Sequence, residues 1–120
     1  MISPCSVSGC KTISAAHSGQ LAGSRWVDSV MRTLTPDQRV AQLFMVAAYS
    51  NRTRADEDSV SALIRKYGIG GLIFFQGGPV RQSRLLNRYQ SQARVPLLVA
   101  MDAEWGVGMR LDSVVRFPFQ

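Results

Sequence analysis

The stretch Pro96-Leu97-Leu98-Val99-Ala100-Met101-Asp102-Ala103-Glu104-Trp105-Gly106 decides the fold class. An unbroken apolar run from Pro96 to Met101 is followed by two carboxylates, an indole and two glycines, Gly106 and Gly108. A strand with one wet face alternates apolar and polar residues. A continuous apolar run bounded by turn residues reads instead as a parallel strand buried on both faces. In α/β folds ligands bind at the carboxyl ends of such strands, which is where Asp102 falls. A carboxylate there is costly to keep dry unless a donor meets it, and a polar ligand is one such donor.

Two further apolar runs precede this one. Phe44-Met45-Val46-Ala47-Ala48-Tyr49 and Ile69-Gly70-Gly71-Leu72-Ile73-Phe74-Phe75 read as buried strands. Between the first two runs, Asn51 opens a loop over 51–55. Asp56, Glu57 and Asp58 then favour the first turn of a helix, where the macrodipole prefers negative charge. Val60, Leu63, Ile64 and Tyr67 form its apolar face, Arg65 and Lys66 occupy its last turn, and Gly68 suits a left-handed stop. Helical spacing returns over 80–93, with Leu85, Leu86 and Tyr89 inward and arginines outward. Ahead of the first run, Thr35-Pro36-Asp37-Gln38 has the cap, first-turn proline and third-position glutamine of a capping box. A further helix is expected from a cap at Ser24, with Trp26, Val30 and Leu34 in line and Val27 and Met31 beside them. Residues 1–24, rich in Ser, Gly and Ala, read as a leader or disordered linker. The order is helix, β, α, β, α, β, an α/β class with crossovers long enough for parallel strands.

The composition excludes several functions. The chain has 120 residues and a net charge of +6, from 14 Lys and Arg against 8 Asp and Glu. Its twelve arginines are scattered without aromatic interleaving, so a solvated surface is favoured and no nucleic-acid partner is expected. No apolar stretch approaches the ~20 residues of a membrane span. Val7-Ser8-Gly9-Cys10 resembles a lipoprotein cleavage site, yet no basic start or apolar core precedes it. A clipped export signal would make the protein periplasmic or lipid-anchored, and otherwise it is cytoplasmic. Gly70-Gly71 and Gly77-Gly78 lack the lysine and spacing of a phosphate loop, and tight packing is their expected purpose. His17 sits in the linker, and no metal or other cofactor is called for.

Three pieces in order carry a resemblance: Leu34-Thr35-Pro36-Asp37-Gln38-Arg39-Val40-Ala41-Gln42-Leu43-Phe44, then Gly68 to Phe75, then Leu98 to Gly106. Together they resemble the start of family 3 glycoside hydrolases, the β-glucosidases and β-N-acetylglucosaminidases whose first domain is a TIM-like barrel. The resemblance covers residues 25–120. It implies an amino-terminal part of a (β/α)8 barrel, truncated after three βα units. It also implies hydrolysis of terminal β-linked glucosyl or N-acetylglucosaminyl residues with retention, the sugar preference being open. In the family the aspartate of this motif hydrogen-bonds sugar hydroxyls, and Asp102 matches it. The alternatives for Asp102 are capping of the next loop or pairing with Arg110. Trp105, which departs from the family motif, either stacks on a sugar ring or fills a core. Glu104 is expected to brace the loop, against Arg110.

Asp102 and Glu104 are not read as a catalytic pair. On an extended segment they would share a face at roughly 6.6–6.8 Å, near the separation of a retaining pair. They would then approach the sugar from one side, whereas acid and nucleophile must flank the bond. The family's nucleophile and general acid lie further along the chain, so this piece carries no catalytic residue and is expected to be inactive alone. The competing reading is a non-enzymatic βαβαβ module binding a nucleotide or a protein. An incomplete barrel exposes a strand edge and apolar inner faces, which promotes association. The isolated chain is therefore expected to be oligomeric, poorly soluble or partly unfolded in sedimentation and proton NMR; a sharp, dispersed, monomeric spectrum would overturn this.

Overall fold

In the computed structural model, residues 17–118 are described and fall into two compact units that divide between Arg32 and Thr33. Cys5, Cys10 and most of the expected linker lie outside the described residues. The first unit carries helix α1, His17–Thr33. This helix starts ahead of the cap expected at Ser24, so the segment 17–24 is helical. Trp26, Val27 and Met31 on it are exposed.

The second unit follows the expected order. Helix α2 (Pro36–Ala41) leads into strand β1 (Met45–Ala48), then α3 (Arg54–Tyr67), β2 (Gly71–Phe74), α4 (Pro79–Gln90) and β3 (Leu98–Met101). The three strands pair in parallel in the order β1-β2-β3. The capping box at Thr35 and Gln38 is present, and Gly68 ends α3 in the left-handed conformation at φ 68°. The expected loop over 51–55 is shorter, because Thr53 caps α3 and Asp56 answers it in a second capping box. The Thr53 hydroxyl donates to Asp56 Oδ2 at 2.6 Å, and this bond holds the Asp56 carboxyl below its ordinary value.

Register decides which side chains meet. Val46, Leu72 and Val99 stand in one row across the sheet, and Ala48, Phe74 and Met101 in another on the same face. This face packs against Ile64 of α3 and Leu85 and Tyr89 of α4 to make the core, completed by Ile69 and Leu97. The opposite face bears Met45, Ala47, Ile73, Leu98 and Ala100, with Leu98 67% exposed. Burial on both faces, expected from the unbroken apolar runs, is therefore not met for β1 and β3. Both crossover helices pack on the same face.

At the amino edge, α2 closes the sheet. Gly70 donates to Ala41 O, Gly71 donates to Phe44 O, and Gln42 Nε2 reaches Gly68 O at 2.7 Å. A Cβ at Gly70 would run into the Gln42 carbonyl, so close backbone approach is what requires glycine there.

Between the helices, Arg88 turns back onto α3, in contrast to the outward placement expected for the arginines of α4. It reaches Glu57 at 2.9 Å, Asp58 at 2.5 Å and the buried Ser61 hydroxyl at 3.1 Å. The Tyr89 ring is buried, and its hydroxyl donates to Glu57 O at 3.2 Å. Burial, helped by the nearby Glu57 charge, pushes the Tyr89 phenol up to about 12. The neutral phenol is thus the form that the fold prefers. Its contribution is complete below the unfolded value near 10 and lost as pH rises toward 12. Tyr89→Phe should cost about 1 kcal/mol at neutral pH from the lost hydrogen bond. It should also lessen the loss of stability between pH 10 and 12, as followed by urea unfolding at stepped pH.

Candidate functional site

Tyr49, Phe75 and Asp102 each follow the last residue of a strand, and those last residues, Ala48, Phe74 and Met101, are paired in register. The three side chains consequently form one row at the carboxyl edge of the sheet. The Tyr49 and Phe75 rings stack with centroids 5.8 Å apart and planes 24° apart. Arg52 Cζ lies 4.0 Å over the Tyr49 ring, and Arg110 Cζ lies 5.2 Å over Phe75. Cation–π attraction of this kind strengthens where water is partly excluded.

Arg110 joins the row to Asp102. Its Nη2 donates to Asp102 Oδ2 at 2.5 Å and its Nε donates to the Asp102 carbonyl at 2.6 Å. The arginine side chain is 21% exposed and the aspartate 40%, so the pair sits at the rim, open to solvent on the carboxylate side. Among the described residues Asp102 Oδ1 accepts no hydrogen bond.

The intervening loop is built to return Arg110. Gly106 N–H closes a turn onto Ala103 O at 2.9 Å, and a 3-10 turn, Val107–Met109, follows. Gly106 adopts φ 86°, a conformation that side chains resist, although open space surrounds it. Because the chain turns at 103–106, Asp102 and Glu104 do not lie on an extended segment. Glu104 is exposed, and the guanidinium expected to brace it is engaged with Asp102 instead. Trp105 is 63% exposed and fills no core; its backbone N–H points at Met109 Sδ, 3.4 Å away. Sequence reasoning named Asp102 and Arg110 but missed Tyr49, Phe75 and Arg52. The available signal was that Tyr49, Phe75 and Asp102 each close an apolar run.

The loops at this edge are also tied to one another. Gly77 donates to Arg110 O at 3.2 Å, and Asp112 N–H returns to Gly77 O at 2.8 Å. Gly78 N–H donates to the buried Ser50 hydroxyl at 3.2 Å, while Arg81 spans Ser50 O and Asp112. A groove of about 190 Å³ opens between these loops, lined by Asn51, Gln76, Met109, Arg110, Asp112 and Arg116 among others. Among the described residues no three His, Cys, Asp or Glu side chains gather as a metal-holding group. Nor is any described helix long and apolar enough to cross a membrane.

The fold is similar to that of a solved structure, the beta-glucoside phosphorylase BglX bound to 2FGlc, with a TM-score of 0.55 and 17% identity. The match covers 66% of this chain and 16% of that one. The likeness is one of fold. No family model matches the sequence, and no curated protein does.

Gly77 is the position where this edge is least forgiving. Its φ is 151°, and an added Cβ would collide with Ser50 Oγ. Gly77→Ala should therefore cost about 3 kcal/mol by overpacking and strain. Gly106→Ala meets no neighbour and should cost roughly 1–2 kcal/mol from conformation alone. Denaturant midpoints of the two variants check the ranking, and equal losses would contradict it.

Proposed function

We propose that this chain is part of an enzyme acting on β-linked glycosides, and that Asp102 grips the terminal sugar. The observation that carries the reading is an anchored carboxylate at the carboxyl end of β3, held through Oδ2 by Arg110 in a side chain that is 40% exposed. A carboxylate accepts and never donates, so it selects hydroxyls by direction, and its bonds to them are charge-assisted. Arg110 acts as the supporting residue, fixing the carboxylate so that little rotational freedom is lost when a sugar arrives. Trp105, exposed on the same loop, offers an indole face to the ring. The fold likeness to a beta-glucoside phosphorylase supports a glycoside-processing role. The family resemblance of the three sequence pieces narrows this to a retaining exo-β-glycosidase with a TIM-like barrel, taking glucosyl or N-acetylglucosaminyl groups.

No residue of this chain is assigned as nucleophile or general acid, so its part is recognition. The test is turnover of aryl β-glucoside and aryl β-N-acetylglucosaminide by the full-length protein, compared with Asp102→Ala. Loss of charge-assisted hydrogen bonds should lower kcat/KM by about a hundredfold or more on whichever sugar is accepted. The 120-residue chain alone should give no turnover. An unchanged kcat/KM in Asp102→Ala would reject the sugar-binding role.

A further inference from the structure

A second groove, of about 230 Å³, lies between α3 and α4 and is lined by Ser50, Arg54, Glu57, Arg81, Arg84, Leu85 and Arg88. Arg81, Arg84 and Arg88 follow one another at intervals of three and four, which sets them along one face of α4. Arg54 faces them from the first turn of α3. Three carboxylates answer these four guanidiniums. Glu57 and Asp58 pair with Arg88 and Arg54, and Asp112 pairs with Arg81. Arg84 is exposed and, among the described residues, has no hydrogen-bond or ion-pair partner.

Stapling α3 to α4 accounts for Arg88, which is only 24% exposed and also bonds Ser61. It does not account for Arg84, which shares the groove with Arg81 and Arg54, at 53% and 72% exposure.

We infer that this groove is a binding site for a tetrahedral oxyanion, a phosphoryl or sulfate group, centred on Arg84, with Arg81 and Arg54 keeping their carboxylate partners and adding the Nη1 and Nη2 donors that those pairs leave open. A guanidinium presents a rigid fork of donors that suits such oxygens. Donors from both helices match an anion with oxygens on several sides better than a two-oxygen carboxylate. Glu57 remains neutralised by Arg88 and leaves the site a net positive charge. The site lies outside the Asp102 row, so a sugar at Asp102 and an anion here are separate events.

Equilibrium dialysis of radiolabelled inorganic phosphate against the full-length protein, in a chloride background, tests this. Saturable uptake is expected, weakening as salt is raised. Acetate should compete poorly and sulfate well. Arg84→Gln should weaken retention roughly tenfold. Arg116→Gln, which removes the same charge from the other groove, should leave it within twofold. Circular dichroism verifies that each variant keeps its fold; should Arg84→Gln fail there, Arg84→Lys should still weaken binding severalfold by losing the fork. Absence of saturation, equal competition by acetate, equal loss in Arg116→Gln, or full retention in the Arg84 variants would each overturn the site. Asp102→Ala should leave phosphate uptake unchanged, so failure here and failure of the sugar reading are told apart.

Discussion

Parallel, in-register pairing of three short strands is the constraint on which the rest of the molecule depends. Ala48, Phe74 and Met101 end their strands in the same row, so whatever residue comes next in each run is delivered to the same edge. Parallel pairing also demands a crossover after each strand, and α3 and α4 supply these on one face. The core, the row of Tyr49, Phe75 and Asp102, and the cleft between the two helices all follow from that arrangement.

Packing at the two sheet edges differs in kind. The amino edge is closed by backbone, with Gly70 pressed against the Gln42 carbonyl and α2 lying across it. The carboxyl edge is held by side chains, above all the Arg110 guanidinium, which serves the Asp102 carbonyl, the Asp102 carboxylate and the Phe75 ring at once. A single cation thereby couples the conformation of one loop to the position of a candidate ligand-binding group. Salt and competing anions weaken such a coupling less when the cation is largely covered, as here.

Much of this was legible in the residues. The capping boxes, the left-handed stop at Gly68 and the three apolar runs are local signals, and local signals survive into the fold. The place of Asp102 at the carboxyl end of β3 was legible because it closes an apolar run. The Tyr49–Phe75 stack was not, because it depends on register between segments some 26 positions apart in the chain, which no local pattern encodes. For Arg110 the residues left two partners open, Asp102 and Glu104, and the bend at Gly106 brings Asp102 rather than Glu104 within its reach. One-sided burial escaped too, since an apolar run records what a strand can be covered by and not which side is covered.

The uncovered sheet face has a thermodynamic consequence. Met45 and Leu98 already meet water in the folded chain, so unfolding adds less apolar hydration than for a domain covered on both sides. Heat capacity and denaturant sensitivity both scale with newly exposed surface. The second unit should accordingly unfold with a shallow, broad stability curve, and any partner that covers that face would sharpen its melting as well as raise it.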